Sequence, residues 1–210
     1  MIDSLVKVYD DIFKKERAQD LAQLAREEQF SFIRRVSFST QLTELKGFKV
    51  FSSKGAKRFL GVLFQQLITV KGRVRFYDYL NTKDLETRSQ SIVEIYTEDL
   101  FANYLMIEPK STFSKMKGFF VAAEAQFPQL EVFNHNFQIS SKIPEANLLL
   151  RESALKLMSD YPGLTFEALG NHFLFYYRKK ELKTPEIIPL INFAEEFLRL
   201  LCFDDRDDYV

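Results

Sequence analysis

Residues 164–177 read LTFEALGNHFLFYY, and this stretch decides how the C-terminal part of the chain folds. Gly170-Asn171 at its centre is a two-residue hairpin signal, because both residue types tolerate a positive φ. A strand that folds back about this turn places apolar and aromatic side chains opposite each other on one face. A slip of one residue would move them all to the other face, so the register is well specified. The predicted cross-strand pairs are Ala168 with Phe173, Phe166 with Phe175, and Leu164 with Tyr177.

The hairpin belongs to a longer unit, residues 133–203, for which the sequence predicts the order strand, helix, hairpin, helix. The first helix is predicted to begin at Pro144, because proline is favoured at the first helical position. Thr184 is a good N-cap for the last helix, whose apolar residues form a broad face. Two helices therefore cover a small sheet, which is an α+β arrangement. The residues predicted to point inward at the first strand, residues 134–140, are Phe133, Phe137 and Ile139.

The N-terminal part of the chain predicts one long helix followed by a β-rich region. Apolar residues recur at helical spacing within the first 29 residues. Lys71-Gly72 marks the turn of a second predicted hairpin, which spans residues 59–79. The further predicted elements are strands at residues 30–38, 47–52, 91–96 and 104–107, a polar loop at residues 80–89, and a short helix or turn at residues 111–118.

These elements predict two halves that meet near residues 118–132. The fold class that follows is α+β, with two small antiparallel sheets or one split sheet, covered by a long N-terminal helix and two C-terminal helices. The predicted divisions are an N-terminal helix at residues 1–29, a β-rich first half at 30–120, a strand–helix–hairpin–helix second half at 121–203, and an acidic tail at 204–210.

The composition is that of an ordinary globular protein. The chain has 210 residues, of which 46% are hydrophobic, so a core can form. Its one cysteine, Cys202, excludes an intramolecular disulfide and fits a reducing compartment. No run approaches the roughly 18 apolar residues of a membrane span. Asp3, Asp10 and Asp11 argue against a signal peptide. We therefore predict a cytoplasmic protein without a transmembrane segment.

Charge is unevenly distributed along the chain. The formal net charge is zero, yet residues 30–83 carry 11 Lys or Arg against two acids, a net charge of +9. A basic surface attracts anionic partners, so we predict a binding or adaptor module that recognises a protein, an inner membrane surface or a nucleic acid. The alternative is that these cations face the acidic helices of the same molecule, or water. The predicted binding residues are Arg34, Arg35, Lys54, Lys57, Arg58, Arg73, Arg75 and Tyr77.

Catalytic motifs are missing from the sequence. The two histidines, His135 and His172, have no carboxylate at a metal-ligand spacing, and no P-loop, G-x-G-x-x-G, G-x-S-x-G or C-x-x-C motif occurs. We therefore assign no catalytic, cofactor-binding or metal-binding residue and do not favour an enzyme. A ligand-binding or catalytic pocket between the two halves is the alternative, and a histidine bonded to a carboxylate in a deep pocket would favour it. Residues 2–29 are a candidate surface for a homodimer.

Two segments resemble a group of uncharacterised bacterial proteins of unknown function that are often membrane-anchored. Residues 72–79, GRVRFYDY, with the return strand at 90–93, QSIV, resemble the group's G-R-x-V-x-x-F-D-Y strand and its T/Q-rich return strand. Residues 133–139, FNHNFQI, resemble its F-N-x-x-F-x-V segment. The resemblance covers roughly residues 18–203 and implies the fold and exposure to the bacterial cytosol. Many members have transmembrane helices before the position equivalent to residues 17–32, so the resemblance also implies a non-catalytic module near the inner membrane surface.

Overall fold

A computed structural model describes residues 2–36, 44–68, 70–83, 86–110, 120–121, 127–141 and 149–202, with side chains described from residue 15 onward except at 120–121. The helices are α1 (Ile2–Glu27), α2 (Glu131–Asn136), α3 (Glu152–Ser159) and α4 (Thr184–Cys202). The strands are β1 (Ser31–Val36), β2 (Ala56–Gln66), β3 (Gly72–Lys83), β4 (Glu86–Thr97), β5 (Ala102–Pro109), β6 (Phe120–Val121), β7 (Phe137–Ser141), β8 (Leu164–Gly170) and β9 (His172–Tyr177). A 3-10 turn spans Lys49–Phe51.

All the described strands belong to one antiparallel sheet, in the order β1-β2-β3-β4-β9-β8-β5-β7-β6. The prediction of two small sheets or a split sheet is therefore wrong. The strand pair that joins the two parts is β4 with β9, where Val93 lies opposite Phe175 and Ile95 opposite Phe173. Because β9 occupies the free edge of β4, the next strand along the chain, β5, lies beyond the C-terminal hairpin and pairs with β8 and β7.

The C-terminal hairpin has the register that the sequence predicts. Ala168 lies opposite Phe173, Phe166 opposite Phe175, and Leu164 opposite Tyr177, which confirms the three predicted pairs. The Phe166 and Phe175 rings lie 5.1 Å apart between centroids. This aromatic row packs against α4, where the Phe197 ring centroid lies 5.0 Å from that of Phe166.

The sheet has a core on each face. The larger core lies between the sheet and helices α1, α3 and α4, and we call this side of the sheet the helix face. A smaller core covers the second face, where residues 44–51, which we call the strap segment, cross the strands. The strap segment contributes Leu45, Phe48 and Phe51, and the strands contribute Phe59, Val62, Tyr77, Tyr79, Ile92, Leu174 and Tyr176.

Three local predictions change in the structure. The strand predicted at residues 47–52 is wrong: a 3-10 turn there buries Phe48 and Phe51. The loop predicted at residues 80–89 is wrong as well, because β3 and β4 stay paired as far as Lys83 opposite Glu86. The strand predicted at 134–140 begins later, at Phe137, after the short helix α2. Its three inward residues, Phe133, Phe137 and Ile139, are buried as predicted.

Several predicted elements lie outside the described residues. They are the short helix or turn at 111–118, residues 118–119 and 122–126 of the proposed junction, the helix start at Pro144 and the acidic tail at 204–210. The helix α3 begins at Glu152, so the predicted helix does not run unbroken from Pro144. Within the part of the chain that the structure describes, no helix is long and apolar enough to cross a membrane.

Strand β2 contains a β-bulge. Leu60 lies opposite Asp78, but Leu63 lies opposite Phe76, so β2 has one more residue than β3 between these pairs. Gly61 lies in the bulge with a φ of 59°, a conformation that L side chains rarely adopt. A Cβ atom at Gly61 would lie 2.2 Å from Leu21 Cδ1, so the bulge is also where α1 approaches the sheet closely.

Candidate functional site

Five of the eight predicted binding residues gather at one end of the sheet, where β1 ends and β2 begins. Arg34 and Arg35 lie on β1 and are exposed, and Arg35 lies opposite Leu60 of β2. Lys57 and Arg58 are the second and third residues of β2, and Lys54 lies two residues before that strand. We call these five residues the basic corner. Among the described residues, no ion pair involves Arg34, Arg35, Lys54 or Arg58.

The other three predicted residues lie elsewhere. Arg73 is at the start of β3, with its guanidinium carbon 4.6 Å from the ring centroid of Tyr96. Arg75 and Tyr77 point to the second face and are 9% and 2% exposed. The structure therefore brings the basic corner together and separates it from Arg73, Arg75 and Tyr77.

A groove with a volume of about 880 Å³ lies between α1 and the helix face, beside the basic corner. It crosses the sheet from β1 to β4, which is about 14 Å for three strand spacings. Strand β1 contributes Arg34 and Arg35 at one end, and Thr87, Ser89 and Glu181 lie at the other end. Between these ends, Leu21, Leu60, Gly61 and Leu80 are uncharged lining residues. Helix α1 also contributes the acidic side chains of Glu16 and Asp20.

The one buried carboxylate of the groove is already paired. Asp78 is 3% exposed, and it accepts a hydrogen bond from Arg17 Nε at 2.9 Å and another from Ser91 Oγ at 2.6 Å. Burial lowers the pKa of Arg17, but the hydrogen bond and the charge of Asp78 outweigh that effect and raise the pKa. The Arg17–Asp78 pair therefore fixes α1 to the sheet, and Arg34 and Arg35 remain the cations available at the β1 end.

A second charged cluster is buried on the second face. Arg75 donates a hydrogen bond to Glu94, and His172 Nδ1 lies 3.0 Å from Glu94 Oε1. Burial raises the pKa of Glu94, but the partners His172 and Arg75 outweigh it, so the pKa is lowered. His172 Nε2 lies 3.5 Å from Glu44 of the strap segment. This cluster is a structural network that connects the strap segment to the sheet.

The two histidines bear on the alternative of a catalytic pocket. His172 is bonded to a carboxylate, yet it lies under the strap segment and lines neither the groove nor a second cavity of about 510 Å³. His135 lines that second cavity together with Lys110, Glu131 and Asn134. Within the described ranges, no group of three or more His, Cys, Asp or Glu side chains is arranged to hold a metal ion.

Glu167 fixes the other end of the strap segment. Its side chain is buried and accepts hydrogen bonds from the backbone N–H groups of Lys49 at 2.6 Å and Val50 at 3.2 Å. The Tyr176 hydroxyl also donates to it. Burial raises the pKa of Glu167 and outweighs the lowering by these donors. The folded state therefore binds a proton at Glu167 more tightly than the unfolded state does.

This raised pKa predicts a pH dependence of stability. The contribution of Glu167 is fully present below its unfolded pKa and is lost as the pH rises through its folded pKa. We expect the free energy of unfolding of the native protein to fall relative to that of Glu167→Gln as the pH rises from 4 towards 7. Urea unfolding at several pH values measures this difference. If the free energy of unfolding of the native protein instead rises relative to that of the variant as the pH rises, the hydrogen-bond donors, and not burial, dominate the pKa of Glu167.

Comparisons with known proteins indicate the fold. No protein-family model matches the chain, and a search of curated protein sequences finds no match. Among solved structures, the chain is similar to the crystal structure of the mycobacterial trehalose monomycolate transport factor A, TtfA. The TM-score is 0.58 at 11% sequence identity, over 89% of this chain and 96% of that chain. At this identity the similarity shows a common fold.

Of the residues that line the groove, sequence reasoning identified only Arg34 and Arg35. The lining comes from α1, four strands and the residue Glu181, which are far apart in the chain. One local signal was available, because an isolated glycine inside a strand pattern, here Gly61, indicates a bulge or a close backbone approach. The pairing of Arg17 with Asp78, 61 residues apart, has no such local signal.

Proposed function

We propose that the protein is a non-catalytic binding module that holds an anionic partner at the basic corner. The partner classes that fit a cationic surface are an acidic protein, an inner membrane surface and a nucleic acid. What supports the proposal is the gathering of Arg34, Arg35, Lys54 and Arg58 without ion pairs in the described part of the chain. Cations that served only to balance the acidic helices would be paired with them.

The observation that carries the proposal is the orientation of Arg34 and Arg35. Consecutive residues of a regular strand point to opposite faces. Here both line the same groove on the helix face, because β1 follows the bulge of β2 at Gly61. Bulges re-aim side chains and are common beside functional sites. The bulge requires a positive φ at Gly61, and it directs the side chains of Arg34 and Arg35 into the same groove.

The similarity to TtfA is compatible with this proposal. That protein is described as a transport factor for trehalose monomycolate, and a role in transport calls for binding rather than for catalysis. The shared fold supports a binding role for this chain and does not transfer a ligand.

Charge reversal at the basic corner tests the proposal. We expect the pair Arg34→Glu and Arg35→Glu to weaken binding to anionic vesicles or to mixed nucleic acid at least about tenfold at low salt, because each exposed cation contributes through screened Coulomb attraction. Binding by the native protein should weaken as salt rises. Co-sedimentation measures binding to vesicles, and fluorescence anisotropy measures binding to labelled nucleic acid.

The matched control reverses two exposed cations far from the corner, Arg151→Glu and Lys156→Glu at helix α3, with the same change in net charge. It should change binding only by the small amount that net charge alone produces. Equal losses in both double variants, or none in either, would remove the basic corner as the binding surface.

A further inference from the structure

We propose that the groove beside the basic corner binds a small phosphorylated polyol, with the phosphate on Arg34 and Arg35 at the β1 end and the hydroxyl groups toward the β4 end. This inference rests on the proposed function and names the ligand class of its site. It follows from the number of guanidinium groups, from the lining of the groove and from its shape.

A phosphate fits the arginines better than a carboxylate does. Arg35 lies opposite Leu60, and Arg58 is two residues from Leu60 on the same strand, so the two are diagonal neighbours about 7–8 Å apart. Arg34 and Arg35 line this end of the groove, and Arg58 lies beside it on β2. Each presents a planar fork of N–H donors. A carboxylate has two oxygens and is saturated by one or two such forks, whereas a phosphate monoester offers three oxygens.

The rest of the groove suits a body that carries hydroxyl groups. The floor is apolar at Leu60 and Leu80, which suits the C–H surface of a polyol. Thr87 and the half-exposed Glu181 lie at the far end. Glu181 accepts a hydrogen bond from Ser89 Oγ at 2.6 Å and lies 3.7 Å from Arg17 Nε, and the remaining lone pairs of its carboxylate can accept hydrogen bonds from hydroxyl donors. Glu16 and Asp20 of α1 also line the groove and add further acceptors for hydroxyl groups. The ligand therefore has its negative charge at one end and its donors along the remainder.

The shape of the site favours a small molecule over a large surface. Arg34 and Arg35 line a concave groove between α1 and the sheet, with a volume of about 880 Å³. That is within the range of small-molecule sites, about 300–1,000 Å³. A flat bilayer touches the rim of such a groove and cannot reach Leu60 or Leu80 on its floor.

Calorimetric titration of the full chain tests the proposal with four probes: glucose 6-phosphate, glucose, inorganic phosphate, and vesicles that contain phosphatidic acid. We expect glucose 6-phosphate to bind at least tenfold more tightly than either glucose or inorganic phosphate. The pair Arg34→Gln and Arg35→Gln should weaken glucose 6-phosphate and inorganic phosphate alike, by about tenfold or more, because charge-assisted hydrogen bonds are lost.

A second variant separates the polyol end from the phosphate end. Thr87→Val is nearly isosteric at an exposed position, and it should weaken glucose 6-phosphate by about twofold to tenfold while leaving inorganic phosphate unchanged. Thermal unfolding confirms that the variants fold. Arg35→Lys, which keeps the charge and loses the fork, should bind glucose 6-phosphate with intermediate affinity.

The outcomes divide cleanly. Equal affinities for glucose 6-phosphate and inorganic phosphate, or affinities that the arginine pair does not change, overturn the phosphorylated-polyol site. Binding of phosphatidic acid vesicles alone, lost in Arg34→Gln and Arg35→Gln, assigns the phosphate to a lipid headgroup: it overturns the polyol and leaves the proposed function intact. If no anionic probe binds, including nucleic acid and a polyglutamate peptide that represents an acidic protein, the proposed function fails together with this inference.

Discussion

Glu94→Leu is expected to lower the free energy of unfolding by about 3–5 kcal/mol, the usual cost of removing one partner from a buried ion pair. Glu94 is 1% exposed and Arg75 is 9% exposed, so the guanidinium that loses this carboxylate has little access to water in its place. His172 also loses its partner at Nδ1. Urea unfolding at neutral pH measures the effect.

The control removes both charges. In the double variant Arg75→Leu and Glu94→Leu no buried charge remains unpaired, and an apolar pair of similar volume is often neutral or stabilising. We expect the double variant to unfold closer to the native protein than Glu94→Leu alone. A double variant whose loss equals the sum of the two single losses would mean that the two side chains do not act as a pair.

Gly61→Ala is expected to lower the free energy of unfolding by about 2–5 kcal/mol. Part of this cost is the left-handed backbone, at φ 59°, which disfavours any residue with a Cβ by about 1–2 kcal/mol. The remainder comes from the new methyl group, which meets the fully buried Leu21 at 2.2 Å and forces α1 to repack, at about 1–3 kcal/mol.

Gly163→Ala is the matched control for this substitution. Gly163 has a φ of 88°, and a Cβ there would meet its nearest neighbour, Tyr177, at an ordinary 3.7 Å. It should therefore show only the backbone cost, about 1–2 kcal/mol. The difference between the two variants measures the contact between α1 and the bulge. If Gly61→Ala and Gly163→Ala lower the free energy of unfolding equally, the Leu21 side chain moves aside without cost. The close approach of α1 to Gly61 then does not contribute to stability.

The C-terminal hairpin was predictable because its signals agree. The Gly170-Asn171 turn and the alternation of Phe166, Ala168, Phe173 and Phe175 point to a single register, and the structure has that register. Turn chemistry and side-chain periodicity are both local, so neither needs knowledge of the rest of the fold.

Local signals did not predict the length of strands β3 and β4, or that all the described strands join in one sheet. The ends of β3 and β4 carry polar residues such as Asn81, Thr82 and Thr87 because this end of the hairpin is exposed, and polar sequence suggests a loop. The pairing of β4 with β9 depends on which strand edges remain free, and residues 93 and 175 are far apart in the chain. Long-range pairing of this kind leaves no periodic trace in a single sequence.

The candidate site was predicted in part. Counting cations identified residues 30–83 as basic, but the count did not separate exposed arginines from Arg75, whose carboxylate partner lies on the next strand. Strand alternation also puts Arg34 and Arg35 on opposite faces, and only the bulge at Gly61 brings them to the same groove.

The position of β5 has a consequence for synthesis of the chain. Strands β8 and β7, its two neighbours in the sheet, both follow it in sequence, as does β9, which covers the free edge of β4. While the ribosome is still translating the C-terminal hairpin, the free edge of β4 and the edge of β5 that pairs with β8 have no partners. Open strand edges are templates for aggregation. The nascent chain is therefore most exposed to aggregation between the emergence of β5 and the emergence of β9.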